Sequence, residues 1–209
     1  MISAAPLHCR VCGGPLIEQI PEGDDRERAV CPGCGEIHYI NPCLVVGALI
    51  EKDDRVLLCR RAIEPAQGLW TPPAGFLEIG ESIADGACRE TREEALGEVE
   101  ALAPHSVIDL PHIGQVYYFI LAGHVAGEFG AGAESIEVRW FPWPEIPWPE
   151  LAFPVVDRVL RLRLEDRQLG TCRFHQGTLR FVGEGDRFAA ASYRYESAFC
   201  HRFEGKTGS

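Results

Sequence analysis

The stretch RETREEALGE, residues 89–98, brings Glu90, Glu93 and Glu94 within two turns of one another if it is helical. Spacings of three and four residues make like charges neighbours on a helix surface, where each pair costs about 0.2–0.5 kcal/mol. Bound divalent cations would reverse that cost. Hard ions such as Mg²⁺ or Mn²⁺ prefer oxygen donors in an octahedron and commonly bridge carboxylates to phosphate oxygens. Held against a phosphate group, such ions screen its charge, polarise a phosphoryl oxygen and lower the pKa of bound water. Arg89 would orient a neighbouring glutamate and offset charge. The competing reading is a merely solvated acidic helix face.

Four of the nine cysteines carry a second kind of chemistry. Cys9 and Cys12 form one CxxC pair, Cys31 and Cys34 another, and 18 residues lie between the pairs. That spacing suits a structural Zn²⁺ held by four thiolates in a tetrahedron. Gly13 and Gly35 follow the two pairs and free the backbone to turn around a metal. The intervening PEGDDRER is polar and supplies no core, so metal binding would replace apolar burial as the folding energy of this piece. His8 reads as an exposed neighbour. Cys43, Cys59, Cys88, Cys172 and Cys200 lack partner spacing and read as small packed side chains.

The elements that must position these groups follow from periodicity and turn chemistry. CLVVGALIE (43–51) and RVLLCRRA (55–62) read as strands joined by a turn at Asp53-Asp54. EPAQGLWTPPAGF (64–76) is loop chemistry. Ser82 with Asp85 three residues on marks a helix start, Ile83, Ala87, Thr91 and Ala95 form a narrow face of mostly small residues, and Gly97 reads as the stop. SVIDLPHI, GQVYYFILAGHV and IEVRWF read as strands, and LAFPVVDRVLRLRLED (151–166) as a second helix. The expected class is α/β (α+β), a mixed sheet sandwiched between helices. Three segments are expected: a zinc ribbon over 1–40, the main domain over 41–168, and a tail over 169–209 that is either a small hairpin or irregular. RWFPWPEIPWPE reads as a rigid cover over the sheet.

Composition narrows the classes of function. With 31 acidic against 20 basic residues the net charge is -11, which argues against a broad nucleic-acid or membrane-binding surface and leaves only a local basic patch open. The start MISAAPLHCR lacks a basic region followed by an apolar core, and no segment approaches the roughly 20 apolar residues of a membrane span. A cytoplasmic address is therefore expected.

The span GFLEIGESIADGACRETREEALG, residues 75–97, orders Gly75, Glu81, Arg89-Glu90 and Glu93-Glu94 at intervals of five, seven and two residues. It resembles the signature of the Nudix hydrolase family. Leu96 stands where that pattern has a glycine, and Gly97 follows it. The resemblance implies a Nudix-type α/β/α sandwich that cleaves a nucleoside diphosphate linked to another group, with Glu90 and Glu94 as metal ligands and Glu93 as a further ligand. It also implies that the Ala74 carbonyl completes the metal site and that a glutamate before a late strand acts as base or extra ligand. Glu134 in ESIEVRW matches best, Glu137 second.

The ribbon before IHYINP, with LLCRRAIEP, GLWTPPAGFLEIGES, PHIGQVYYF and ESIEVRWF, is similar to the Nudix branch containing FAD and ADP-ribose pyrophosphatases. This implies hydrolysis of FAD to FMN and AMP, or of ADP-ribose to AMP and ribose 5-phosphate. NADH ranks lower, because no SQPWPFPxS-like segment follows the box, and a capped RNA end is a further alternative. Arg60, Arg61, Trp70 and Tyr117 are candidates to hold phosphate or base, Arg60 and Arg61 equally reading as surface charges. A homodimer follows from resemblance only. The rival of another class is a nucleotide-sensing module whose ribbon grips nucleic acid or protein.

Overall fold

The computed structural model describes residues 6–183 and 185–202. The chain divides between Cys43 and Leu44 into two compact units. In the first, β1 (Ile17–Gln19), β2 (Arg28–Val30) and β3 (Ile37–His38) form an antiparallel sheet in that order. The two CxxC turns are built alike: Gly13 N–H donates to Cys9 O at 2.9 Å and Gly35 N–H to Cys31 O at 2.8 Å. Both glycines have positive φ, 73° and 76°, a conformation that carries no Cβ penalty in glycine.

The second unit is built on a nine-stranded sheet. Its strands are β4 (Cys43–Lys52), β5 (Arg55–Arg61), β6 (Trp70–Thr71), β7 (Ala74–Phe76), β8 (Glu98–Leu110), β9 (Gln115–Ala126), β10 (Ser135–Pro142), β11 (Arg173–Phe181) and β12 (Tyr193–Arg202). The main path runs β10-β5-β4-β9-β8-β11-β12, with β6 on β5 and β7 on β4. Asp53 and Asp54 both have positive φ, 48° and 61°, the type I′ geometry that matches the twist of a two-residue hairpin.

Two helices, α1 (Ile83–Ala95) and α2 (Pro154–Gln168), cover the sheet. Period-2 alternation sorts the strand residues between them. Leu49, Val56, Leu58, Ile108, Phe119 and Leu121 pack with Val155, Val156, Val159 and Leu160 of α2. Val46, Ala48, Ile50, Leu57 and Cys59 pack with Ala87 and Ala95 of α1. The mixed sheet between helices is the expected one.

Several boundaries differ from the sequence reading. Strand β8 begins at Glu98, well before Ser106, and ends at Leu110, with Pro111–Ile113 a 3-10 turn. Its pairing with β9 shifts register near Ala101–Ala103 and Pro104–Ser106, as expected where a proline removes a ladder donor. Helix α2 starts at Pro154 rather than Leu151. Phe153 stays extended at φ -142°, ψ 147°, because a residue preceding proline is barred from the helical region and proline is favoured in the first turn.

The segment after residue 169 forms the hairpin β11–β12, and β11 joins the sheet by parallel pairing with β8, His175 opposite Ser106. Cys200 is exposed, against the expectation of a packed thiol, because it lies on the sheet's outermost strand. Trp143 is buried in the α2-side core, and Arg161 lies 4.3 Å from the ring centre of Trp148. Among the described residues no helix is long and apolar enough to cross a membrane.

Candidate active site

Helix α1 begins as its sequence implies: Ser82 caps it, its hydroxyl accepting from Asp85 N–H at 3.2 Å. Ala87, Thr91 and Ala95 are buried against the sheet, and the Thr91 hydroxyl donates to Ala87 O at 2.8 Å. Glu90 and Glu94 flank this face and are buried too, at 9% and 6% exposure, while Glu93 points outward. Burying two carboxylates one turn apart is expensive unless something positive compensates.

Part of the compensation is Arg89. It donates to both Glu81 oxygens, through Nε at 3.0 Å and Nη2 at 2.7 Å. Its Nη1 reaches Glu90 Oε1 at 2.8 Å and Glu93 Oε2 at 3.0 Å, and Nη2 also bonds Phe76 O at 3.0 Å. One guanidinium thus fixes two α1 carboxylates and the strand β7. Glu81, present in the signature with no role assigned to it, is the clamp on Arg89. Gly75 is required by the same packing, since a Cβ there would lie 2.3 Å from Glu90 Oε1.

Glu94 Oε2 accepts from Ala74 N–H at 3.0 Å, so Ala74 meets the site through its amide as well as its position on β7. That bond and the nearby Arg61 do not offset the environment of Glu94. Burial, with Glu90 and Glu134 adding repulsion, pushes its carboxyl up to about 8. Burial likewise raises Glu90, with Glu93 and Glu134 contributing after the opposing Arg89. Five acids, Glu81, Glu90, Glu93, Glu94 and Glu134, outnumber the two arginines, and two of the acids, Glu90 and Glu94, are buried. An oxygen-rich donor set of this kind fits a hard divalent cation.

Glu134, exposed on the loop preceding β10, acts on Glu90 and Glu94 through its charge. Gly130 N–H donates to Ala95 O at 2.9 Å and Gly132 N–H to Glu94 O at 3.0 Å, so the loop satisfies the last carbonyls of α1. Gly132 must lack a side chain, because a Cβ would fall 1.7 Å from Glu93 O. Ala62 N–H then holds Glu134 O at 2.8 Å. Glu137 is engaged elsewhere, its carboxylate accepting from Arg139 Nε at 2.9 Å.

The end of α1 departs from its expected form. The left-handed residue is Leu96, at φ 57°, while Gly97 has no positive φ. Gly97 instead makes room for Phe129: a Cβ there would lie 2.0–2.8 Å from three atoms of the ring. Phe129 also packs 4.8 Å from His124 and edge-on to Trp140 at 5.5 Å. Nothing in the local sequence marked Phe129, because its partner lies 32 residues earlier.

The remaining candidates are placed unequally. Arg61 acts on Glu94 and Tyr117, donates to Pro65 O at 2.9 Å and lies over Phe153. Tyr117 donates to Gln115 Oε1 at 3.1 Å, and burial pushes its phenol up to about 12. Arg60 is turned to Gly68 O at 2.8 Å. Trp70 is only 4% exposed and packs edge-on against Phe141 at 4.8 Å, so its ring belongs to the core rather than to a ligand surface.

In the first unit the four cysteine sulfurs all lie within 4.8 Å of one another. Cys9 Sγ and Cys34 Sγ are 3.6 Å apart, Cys12 Sγ and Cys31 Sγ 3.4 Å. A tetrahedron with Zn–S bonds of 2.3 Å has edges of about 3.8 Å. Val11 N–H donates to Cys9 Sγ at 3.4 Å, and His38 Nε2 lies 3.4 Å from the same sulfur. The thiols fit zinc.

Comparison with known families adds an independent observation. A family model described as the NUDIX domain matches residues 42–162. The chain belongs to the Nudix family. A second model, described as Nudix N-terminal and named for a zinc ribbon, matches residues 8–40. The Nudix chain resembles an ADP-ribose pyrophosphatase of Methanocaldococcus jannaschii, 32% identical over 49% of this chain and 63% of that protein. It resembles an NAD-capped RNA hydrolase NudC of Edwardsiella ictaluri, 29% identical over 79% of this chain and 61% of that protein. It thus spans about three fifths of the length of these two curated relatives. Among solved structures, a NUDIX hydrolase from Nitrosomonas europaea superposes with a TM-score of 0.80 at 46% identity, covering 83% of this chain and 98% of that one. An ADP-ribose pyrophosphatase from Streptococcus suis gives 0.52 at 27% identity, covering 61% and 93%.

Proposed function

We propose that this protein hydrolyses the diphosphate of a nucleoside diphosphate derivative with the help of Mg²⁺ or Mn²⁺, ADP-ribose being the leading substrate. The observation that carries the reading is the burial of two carboxylates, Glu90 and Glu94, one turn apart on α1, with Glu93 and Glu134 adding negative charge. Glu90 and Glu94 would hold the cation, with Glu93 and the Ala74 carbonyl completing the donor set. When bound, the cation neutralises the diphosphate and lowers the pKa of a coordinated water.

The chain's own residues divide the remaining work. Arg89 orients Glu90 and Glu93 and is itself fixed by Glu81. Glu134 accepts the proton of the attacking water, a role that needs a carboxylate on a restrained loop within reach of the reacting atoms. Arg61 stands beside Glu94 as a partner for a substrate phosphate. The products from ADP-ribose are AMP and ribose 5-phosphate. FAD, which would yield FMN and AMP, belongs to the same substrate class.

A second reading has its own support. The similarity to NudC extends over 79% of this chain, which raises NADH and NAD-capped RNA as substrates. Purified protein incubated with Mg²⁺ or Mn²⁺ and, separately, ADP-ribose, FAD, NADH and NAD-capped RNA separates the readings by the rate of AMP or 5′-monophosphate RNA release. Fastest release from ADP-ribose supports the leading reading. Fastest release from capped RNA transfers it to the second, and tight RNA binding without turnover of any substrate contradicts both.

A further inference from the structure

A second group of metal-capable side chains lies where the hairpin β11–β12 meets α2 and β8. His105 on β8, Asp166 on α2 and His175 on β11 each place one nitrogen or carboxylate oxygen within 4.8 Å of the others. All three are buried, at 0%, 0% and 3% exposure. His175 Nε2 lies 3.1 and 3.2 Å from the two Asp166 oxygens, and the imidazole centres are 5.4 Å apart. β8 thus meets the later α2–β11 pair at one dry point.

Nδ1 of each ring has a polar neighbour. His105 Nδ1 lies 3.2 Å from Ser106 Oγ, and His175 Nδ1 lies 3.6 Å from Cys200 Sγ. This is the arrangement of metal-binding histidines, whose far N–H is held by a neighbour that fixes ring and tautomer. With Nδ1–H donating to Ser106, the lone pair of His105 sits on Nε2. That atom is buried and has no hydrogen-bond partner. Leaving a buried polar group unpaired is costly, and such orphans in native proteins call for an explanation.

We infer that His105, Asp166 and His175 form a buried site for a transition-metal dication, with Zn²⁺ the best match to two imidazoles and one carboxylate. Ligation would give His105 Nε2 a partner. It would replace the present His175–Asp166 hydrogen bond by bonds to one ion, His175 ligating through Nε2 as the tautomer that carries its proton on Nδ1, beside Cys200 Sγ. Asp166 keeps its outer partners, accepting from Arg173 Nε at 2.5 Å and from the Arg173 amide at 3.0 Å, while Glu165 lies 3.9 Å from the same guanidinium. The ion would lock β11 to β8 and α2. With both Asp166 oxygens, 3.1 and 3.2 Å from His175 Nε2, taken as donors, the two imidazoles and the carboxylate would supply four donors at a point closed to solvent, so the role is structural.

The inference is independent of the proposed hydrolysis, and so is its test. The full chain is stripped of metal, reloaded with Zn²⁺ and dialysed against excess Mg²⁺ to clear carboxylate sites. Zinc per chain is then counted for the unaltered protein, His105→Gln and Glu94→Gln. The expected result is one zinc beyond the ribbon's, missing only in His105→Gln. Treating the unaltered protein with a mercurial thiol reagent should release the ribbon zinc and leave the second in place, a readout that does not depend on a variant folding. The inference is overturned if the thiol reagent releases all the zinc, or if the extra ion is lost with Glu94→Gln and kept in His105→Gln.

Discussion

The ring of Phe129 occupies the space a Cβ on Gly97 would need, as close as 2.0 Å. This contact lets the loop 127–134 lie on the C-terminus of α1, where its amides bind Ala95 and Glu94 carbonyls and its end carries Glu134. Phe129→Ala should therefore loosen Glu134 as well as remove a half-buried ring. We expect a stability loss of about 1–2 kcal/mol, below the 3–5 of a fully buried phenylalanine. The turnover number should fall about tenfold or more with little change in KM. Equal losses in Gly97→Ala, which forces the ring away, would confirm that geometry rather than ring chemistry is at stake.

Glu134 and Glu137 are separated by their partners. Glu137 is held by Arg139, whereas Glu134 raises both Glu90 and Glu94 by its charge. Glu134→Gln should lower kcat by about 10²–10⁴, the range for loss of a general base. Glu137→Gln should stay within about threefold. Steady-state kinetics on both variants decides the assignment, and the reverse order would transfer the role.

Acid stability reports on the Arg89 clamp. The Arg89 guanidinium on both its oxygens holds the Glu81 carboxyl at about 2, below its ordinary 4.5. A folded-state value below the unfolded one means the stabilisation is complete above about pH 4.5 and disappears as pH falls through about 2. Thermal unfolding followed across that window should lose part of its acid slope in Glu81→Gln. An unchanged slope would show that the pair contributes nothing to the folded state.

Zinc is expected to hold the ribbon together, because a binding free energy of about 10 kcal/mol or more exceeds what so small a core supplies. Removing it with a chelator, or replacing Cys34 by Ser, should make the amides of Ala29 and Val30 exchange rapidly. Slow exchange persisting without metal would contradict this.

How much of this was legible beforehand depended on how local each determinant is. The start of α1 was, because Ser82 and Asp85 lie within one turn, and so was the β4–β5 turn at Asp53-Asp54. Glu90 and Glu94 were found by spacing, but their burial was not, since it comes from β7 and the 127–134 loop folding against them. The left-handed Leu96 was missed because glycine is the usual occupant of that conformation, and Gly97 was serving Phe129 instead. The early half of β8 was hidden by its polar residues and Pro104, and the parallel pairing of β11 with β8 connects residues about 70 apart. A sequence window cannot see such partners.

The central claim is that Glu94 helps hold a catalytic cation on a diphosphate. It is tested most directly by measuring Mn²⁺ binding and AMP release from ADP-ribose side by side in the unaltered protein and Glu94→Gln, which removes the charge and nearly keeps the shape. The account predicts metal-dependent AMP release in the first and, in the second, weakened Mn²⁺ binding with turnover reduced by at least about 10². Turnover at the unaltered level in a folded Glu94→Gln protein would contradict it.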